Sequence, residues 1–146
     1  PFLPEPEWQA LQQRAATMPG VTLVRHVADL AAEMRVARAS ISQCGYNTAL
    51  DLVVSQVPAL VVPYVTVTEN EQRMRAERLA EIGAVQWLEP QGLDGATLAA
   101  AIQRLLRFTP RPAALMLDGA ERTAELLAQL LARHEPVNAE AACAAA

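Results

Sequence analysis

At 146 residues, 52% of them hydrophobic, the chain has the length of one ordinary domain and enough apolar side chain for a single core. A net charge of -4 with no Lys/Arg stripe lacks the footprint of a nucleic-acid binder, so no DNA or RNA partner is expected. No apolar run approaches the roughly 18 residues of a membrane span, and Cys44 and Cys143 lie too far apart, about a hundred residues, to suggest a disulfide framework, which makes the cytoplasm the expected compartment.

The opening PFLPEPEW has no Met and no basic segment leading into an apolar stretch, so the chain is expected to begin partway through a longer protein. Trp8, Leu11, Ala15 and Met18 recur at helical spacing until Pro19-Gly20 stops the helix. VTLV (21–24) reads as a first strand and Leu30, Met34 and Ala37 as a second helix. ASIS (39–42) is a second strand, and Ala49, Leu50 and Val53 begin a third helix. ALVVPY (59–64) is a third strand, followed by a helix over 69–82 that Gly83 closes as a left-handed cap. AVQWL (84–88) is a fourth strand, and two more helices, 98–106 and 120–132, flank the Pro-rich FTPRPAA (108–114).

Unbroken apolar runs such as ALVV suit strands buried on both faces, and the strand–helix alternation predicts parallel pairing with right-handed crossovers. The expected fold is α/β: a Rossmann-like, doubly wound parallel sheet of about four strands with helices on both faces, plus two C-terminal helices. So small a sheet leaves edges exposed, which points to strands missing upstream and makes a homo-oligomer an expectation. Residues 1–134 are expected to form the domain and 135–146, ending in NAEAACAAA, a flexible tail.

SQCGYNTALD (42–51) carries the most chemistry. It follows a strand and opens a helix, so its backbone N–H groups and the positive end of the helix dipole lie at the carboxyl edge of the sheet, where phosphates bind in open α/β folds. Gly45 permits close approach of a ligand, Asn47 and Thr48 can donate to phosphate oxygens, and Asp51 can accept from ribose hydroxyls. Asn47 or Thr48 also suits a plain N-cap, and Thr48 with Asp51 resembles a capping box. A second strand-to-helix transition, VTVTENEQRMRAERLAEIG (65–83), puts Glu71 and Gln72 in a first helical turn, where they can grip sugar hydroxyls. A Thr68–Glu71 capping box and the solvated pairs Glu71–Arg75 and Arg73–Glu77 account for the same residues.

His26, just after the first strand, has no second His or Cys at ligand spacing, because His134 lies in the terminal region; no metal site is expected. Ser-His-Asp, Cys-His, G-x-G-x-x-G and Walker A patterns are all missing.

The ordered series HVADL, SQCGYNTALDL, PALVVPY and ENEQRMRAERLAEIGAV resembles the carboxy-terminal domain of family 28 glycosyltransferases, a group that includes the peptidoglycan N-acetylglucosaminyl transferase. It is most similar to bacterial members with a GYNT segment and an E-x-E-Q-x-x-R-A segment. The resemblance implies the donor half of a GT-B fold holding a UDP-sugar, which is a substrate, with no cofactor. It implies that His26 lies against the base, that Val27 offers its backbone to the uracil edge and that Leu30 lines the pocket. Gly45, Asn47 and Thr48 would face the diphosphate, Asp51 the ribose, and Glu71 and Gln72 the sugar. Asp51 stands where the family usually has Glu, and Glu71-Gln72 where the peptidoglycan enzyme has two Gln.

The family's amino-terminal acceptor domain, with its catalytic base, and the first two strands and glycine-rich loop of its donor domain have no counterpart in this sequence. The expectation is therefore a nucleotide-sugar-binding part with no catalytic residue of its own, inactive alone, which meets a membrane only through a partner or the missing domain. The alternatives are a subunit of a split transferase, a fragment of a nucleotide-sugar epimerase, and a non-catalytic α/β interaction domain.

Overall fold

A computed structural model of the chain describes residues 3–113 and 118–133. The chain divides into two units, Pro1–Ala113 and Ala114–Ala146. The first holds helices α1 (Glu5–Ala16), α2 (Leu30–Val36), α3 (Tyr46–Ser55), α4 (Glu71–Glu81) and α5 (Gly95–Leu105) and strands β1 (Ser40–Ser42), β2 (Ala59–Val61) and β3 (Gln86–Trp87); the second holds α6 (Gly119–Arg133). The tail expected over 135–146 lies outside the described residues.

The strands form one parallel sheet in the order β1-β2-β3, with Ile41 opposite Leu60 and Leu60 opposite Gln86. β2 is buried along its whole length, and its pleat sends alternate side chains to two cores. Ala59 and Val61 join Met34 of α2, Ala49 and Leu52 of α3, and Ala76 and Leu79 of α4. Leu60, 1% exposed, joins Ala101 and Leu105 of α5 on the opposite face. Both crossover helices, α3 and α4, thus cover one face and α5 the other, as the unbroken apolar run ALVV requires.

The described sheet has three strands where the sequence suggests about four. VTLV makes no ladder: Val21 and Val24 are 47% and 59% exposed, and the Val21 N–H turns back to the Met18 carbonyl at 3.2 Å. An extended run becomes a strand only when a neighbour takes its backbone groups, and no described strand lies beyond β1 to do so. α1 buries none of its residues. Arg25 ties it to the 21–29 segment by pairing with Glu5 at 2.7 Å and lying over the Trp8 ring.

Gly83 closes α4 as expected, at φ 75°, with its N–H bonded to the Ala80 carbonyl and the Ala84 N–H to the Leu79 carbonyl. These two bonds make a Schellman motif, and they aim the chain from α4 into β3. α6 exposes Leu126, Leu127, Leu130 and Leu131 on a helix that also carries Glu121, Arg122, Glu125 and Arg133.

Candidate functional site

The carboxyl ends of three parallel strands meet the start of α4. β1 runs into Gln43-Cys44-Gly45, and α3 opens with Gly45 as N-cap, at φ -60° and ψ 158° and with no side-chain cap bond. Neither Asn47 nor Thr48 caps the helix; they occupy its second and third positions. The Thr48–Asp51 capping box does not form, because the cap falls one turn too early for it. Among the described residues, the N–H groups of Tyr46, Asn47 and Thr48 find no acceptor, whereas the next one, on Ala49, bonds the Gly45 carbonyl at 2.9 Å. Free donors of this kind at the positive end of a helix dipole can bind an anion.

The space over these donors is open. A Cβ on Gly45 would meet only Thr48 Oγ1, at 4.0 Å, and its backbone angles suit any residue. The fold itself therefore makes no demand for glycine at this position.

α4 grips all three strand ends. Gln72 Oε1 accepts from the Cys44 N–H at 3.2 Å and the Tyr64 N–H at 3.1 Å, so one side chain ties the loop after β1 to the loop after β2. Arg75 Nη1 donates to the Cys44 carbonyl at 2.7 Å. Arg73 pairs with Glu77 at 3.1 Å and with Glu89, just beyond β3, at 3.3 Å. The Thr68–Glu71 capping box is absent, as Asn70 caps α4 without a side-chain bond and Thr66 Oγ1 accepts instead from the Glu69 N–H. Both expected i,i+4 pairs are present, Arg73–Glu77 tightly and Glu71–Arg75 only at 3.9 Å.

Cys44 is 0% exposed, and burial raises its thiol pKa, against a smaller opposing pull from the Arg75 charge. Its burial and the long-range bonds to its peptide groups are the part of the site that residue spacing did not reveal. One signal was present: Gln72 and Arg75, three apart on a helix, share a face.

The remaining candidates stand in separate places. His26 and Val27 line a cleft of about 480 Å³ with Thr22, Val24, Ala28 and Glu33. Leu30, the first residue of α2 and exposed, is not part of that lining; the preceding Asp29 caps α2 by accepting from the Ala32 N–H at 2.8 Å. Asp51 lies half-buried on α3. Glu71 borders a second cleft, of about 380 Å³, with Met74, Arg75, Arg78 and Leu79. Among the described residues no group of three or more His, Cys, Asp or Glu could hold a metal, and no helix is long and apolar enough to cross a membrane.

The sequence model of the glycosyltransferase family 28 C-terminal domain matches residues 5–131. The chain belongs to this family. Among curated family 28 relatives, the UDP-N-acetylglucosamine--N-acetylmuramyl-(pentapeptide) pyrophosphoryl-undecaprenol N-acetylglucosamine transferase of Symbiobacterium thermophilum is 33% identical over 98 residues, covering 67% of this chain and 26% of that protein. The Chromobacterium violaceum enzyme of the same name is 33% identical over 129 residues, covering 84% of this chain and 36% of its own length. The crystal structure of Acinetobacter baumannii MurG superposes with a TM-score of 0.66 at 18% identity, over 86% of this chain and 41% of that one. The architecture is accordingly that of the carboxy-terminal half of the family's GT-B fold, and the chain spans about a quarter to a third of the length of these curated relatives.

Proposed function

We propose that this chain is the nucleotide-sugar-binding part of a glycosyltransferase that moves a hexosyl group from a UDP-sugar to an acceptor hydroxyl. The observation that carries this reading is the uncapped start of α3, whose three free N–H groups stand over an open glycine at the carboxyl edge of a parallel sheet. A diphosphate supplies the acceptors that this helix end lacks.

In this reading His26 stacks on the base beside the Val27 backbone, and Leu30 closes the pocket. Gly45, Asn47 and Thr48 hold the diphosphate, Asp51 takes the ribose hydroxyls, and Glu71 and Gln72 contact the sugar. During transfer, charge develops on the departing diphosphate as the acceptor oxygen attacks the anomeric carbon, and fixed N–H donors stabilise that charge without having to reorganise. The base and the acceptor pocket belong to an acceptor half like that of the family's longer members.

Titrating UDP and UDP-N-acetylglucosamine into the ¹⁵N-labelled chain tests the site. The expected result is saturable shifts at Gly45 to Thr48 and at His26 and Val27. No shift at these residues at millimolar nucleotide would overturn the assignment.

A further inference from the structure

Arg75 belongs to the EQ-x-x-RA block, yet the role that spacing suggests for it, pairing with Glu71, is its weakest contact. Nη2 stands 3.9 Å from a Glu71 carboxylate that is 80% exposed, where solvent screens the pair. Nη1 donates to the Cys44 carbonyl at 2.7 Å, a charge-assisted bond across 31 residues of sequence, and the guanidinium lies over the Tyr46 ring, 5.8 Å from its centroid. Gln72, one turn earlier, takes the Cys44 N–H. Both backbone groups of Cys44 are therefore held by α4, directly before the Gly45 N-cap. Cys44 and Tyr46 flank that cap, and α3 has no side-chain cap of its own.

We propose that Arg75 is a positioning residue of the donor site: by clamping the Cys44 carbonyl and bracing Tyr46, it fixes the turn into α3 so that the free amides of Tyr46, Asn47 and Thr48 converge on one phosphate position. This rests on the donor-binding reading above. Without the clamp the turn must be ordered when the ligand arrives, which weakens binding without removing any ligand contact. The GYNT and EQ-x-x-RA blocks then act as one unit, the second holding the first in shape.

Arg75→Met keeps the stem and removes the donors; Arg75→Lys keeps the charge and one donor but loses the flat face over Tyr46. Each is compared with the unsubstituted chain for ¹⁵N order parameters of Gly45 to Thr48 without ligand, for UDP affinity, and for thermal midpoint. Arg75→Met is expected to loosen these four amides and weaken UDP binding about tenfold or more, with Arg75→Lys in between. Order parameters and affinity unchanged in Arg75→Met would overturn the clamp; if that variant does not fold, wild-type values in Arg75→Lys would do so. A merely structural role would lower the midpoint and leave the dynamics of the folded turn as they were. If the unsubstituted chain binds no UDP while Arg75→Met still loosens the turn, the donor reading fails and only the loop clamp stands.

Discussion

Gly45 separates a structural from a ligand-binding role for the turn into α3. Serine is as good an N-cap as glycine or better, and a Cβ here has room. Gly45→Ser should keep or raise the thermal midpoint while weakening UDP binding about tenfold, because its side chain occupies the space a phosphate needs and its hydroxyl competes for the first-turn amides. Unchanged affinity by calorimetry would remove Gly45 from the site. Cys44 gives a second residue-level expectation. Its thiol holds its proton to higher pH than an exposed one because burial disfavours the thiolate, so in a Cys143→Ser chain alkylation at pH 8 should be slower than for a free thiol by about tenfold or more. The sign for stability follows: with the folded pKa raised, the contribution of Cys44 is complete below the unfolded thiol pKa and is lost as pH rises through the folded value. Alkylation as fast as in the urea-unfolded chain would contradict the burial argument. At this scale, the sequence placed Gly45, Asn47, Thr48 and Gln72 at the sheet edge but missed the anchored Cys44, and it misread how the starts of α3 and α4 are satisfied. Ser, Thr, Asn and Asp near a helix start suggest side-chain caps, whereas here Gly45 and Asn70 hold the cap positions without such bonds, leaving α3 open.

Among the elements, every described helix lies close to where apolar periodicity places it, because each must cover the sheet or present a charged face to water. The strand at 21–24 was not legible in the same way, since an apolar run records burial propensity and says nothing about whether a neighbouring strand exists. The Gly83 cap was legible because few residues other than glycine tolerate its angle. Gly83→Ala should cost about 1–2 kcal/mol from the left-handed backbone, measured as a lower urea midpoint at unchanged slope. The new Cβ would also stand 2.9 Å from Arg111 Cδ and 3.2 Å from its Cγ, so displacing that side chain adds to the backbone cost. A loss below a few tenths of a kcal/mol would mean the α4–β3 turn relaxes to another conformation.

For the whole molecule, the telling quantity is coverage: the family's domain model matches residues 5–131, yet the chain covers only 26% and 36% of the length of two related transferases. In the donor-site reading, the chain supplies leaving-group stabilisation while the acceptor pocket lies in another part of the enzyme. The purified chain should therefore bind UDP-N-acetylglucosamine but release no UDP in the presence of the lipid acceptor that the relatives' name specifies, as followed by a coupled UDP assay. Turnover by the chain alone would place a base within these 146 residues and refute the division of labour. Among the described strands β1 and β3 are both edges, each with backbone groups on its outer side that no described strand takes.

Gln72 shows how a scaffold contact restricts what a side chain can still read. An amide has one end that only accepts and one that only donates, and both of its partners here are N–H groups, so the oxygen must face the loops. What remains for a ligand is the NH₂ end. In the donor-site reading, Gln72 then senses a sugar hydroxyl only as an acceptor, while the Glu71 carboxylate, one residue earlier, senses it as a donor. Such a pair of opposite polarity is sensitive to the orientation of a hydroxyl as well as to its presence, and swapping the two residues would break the loop tie and reverse that preference in a single step.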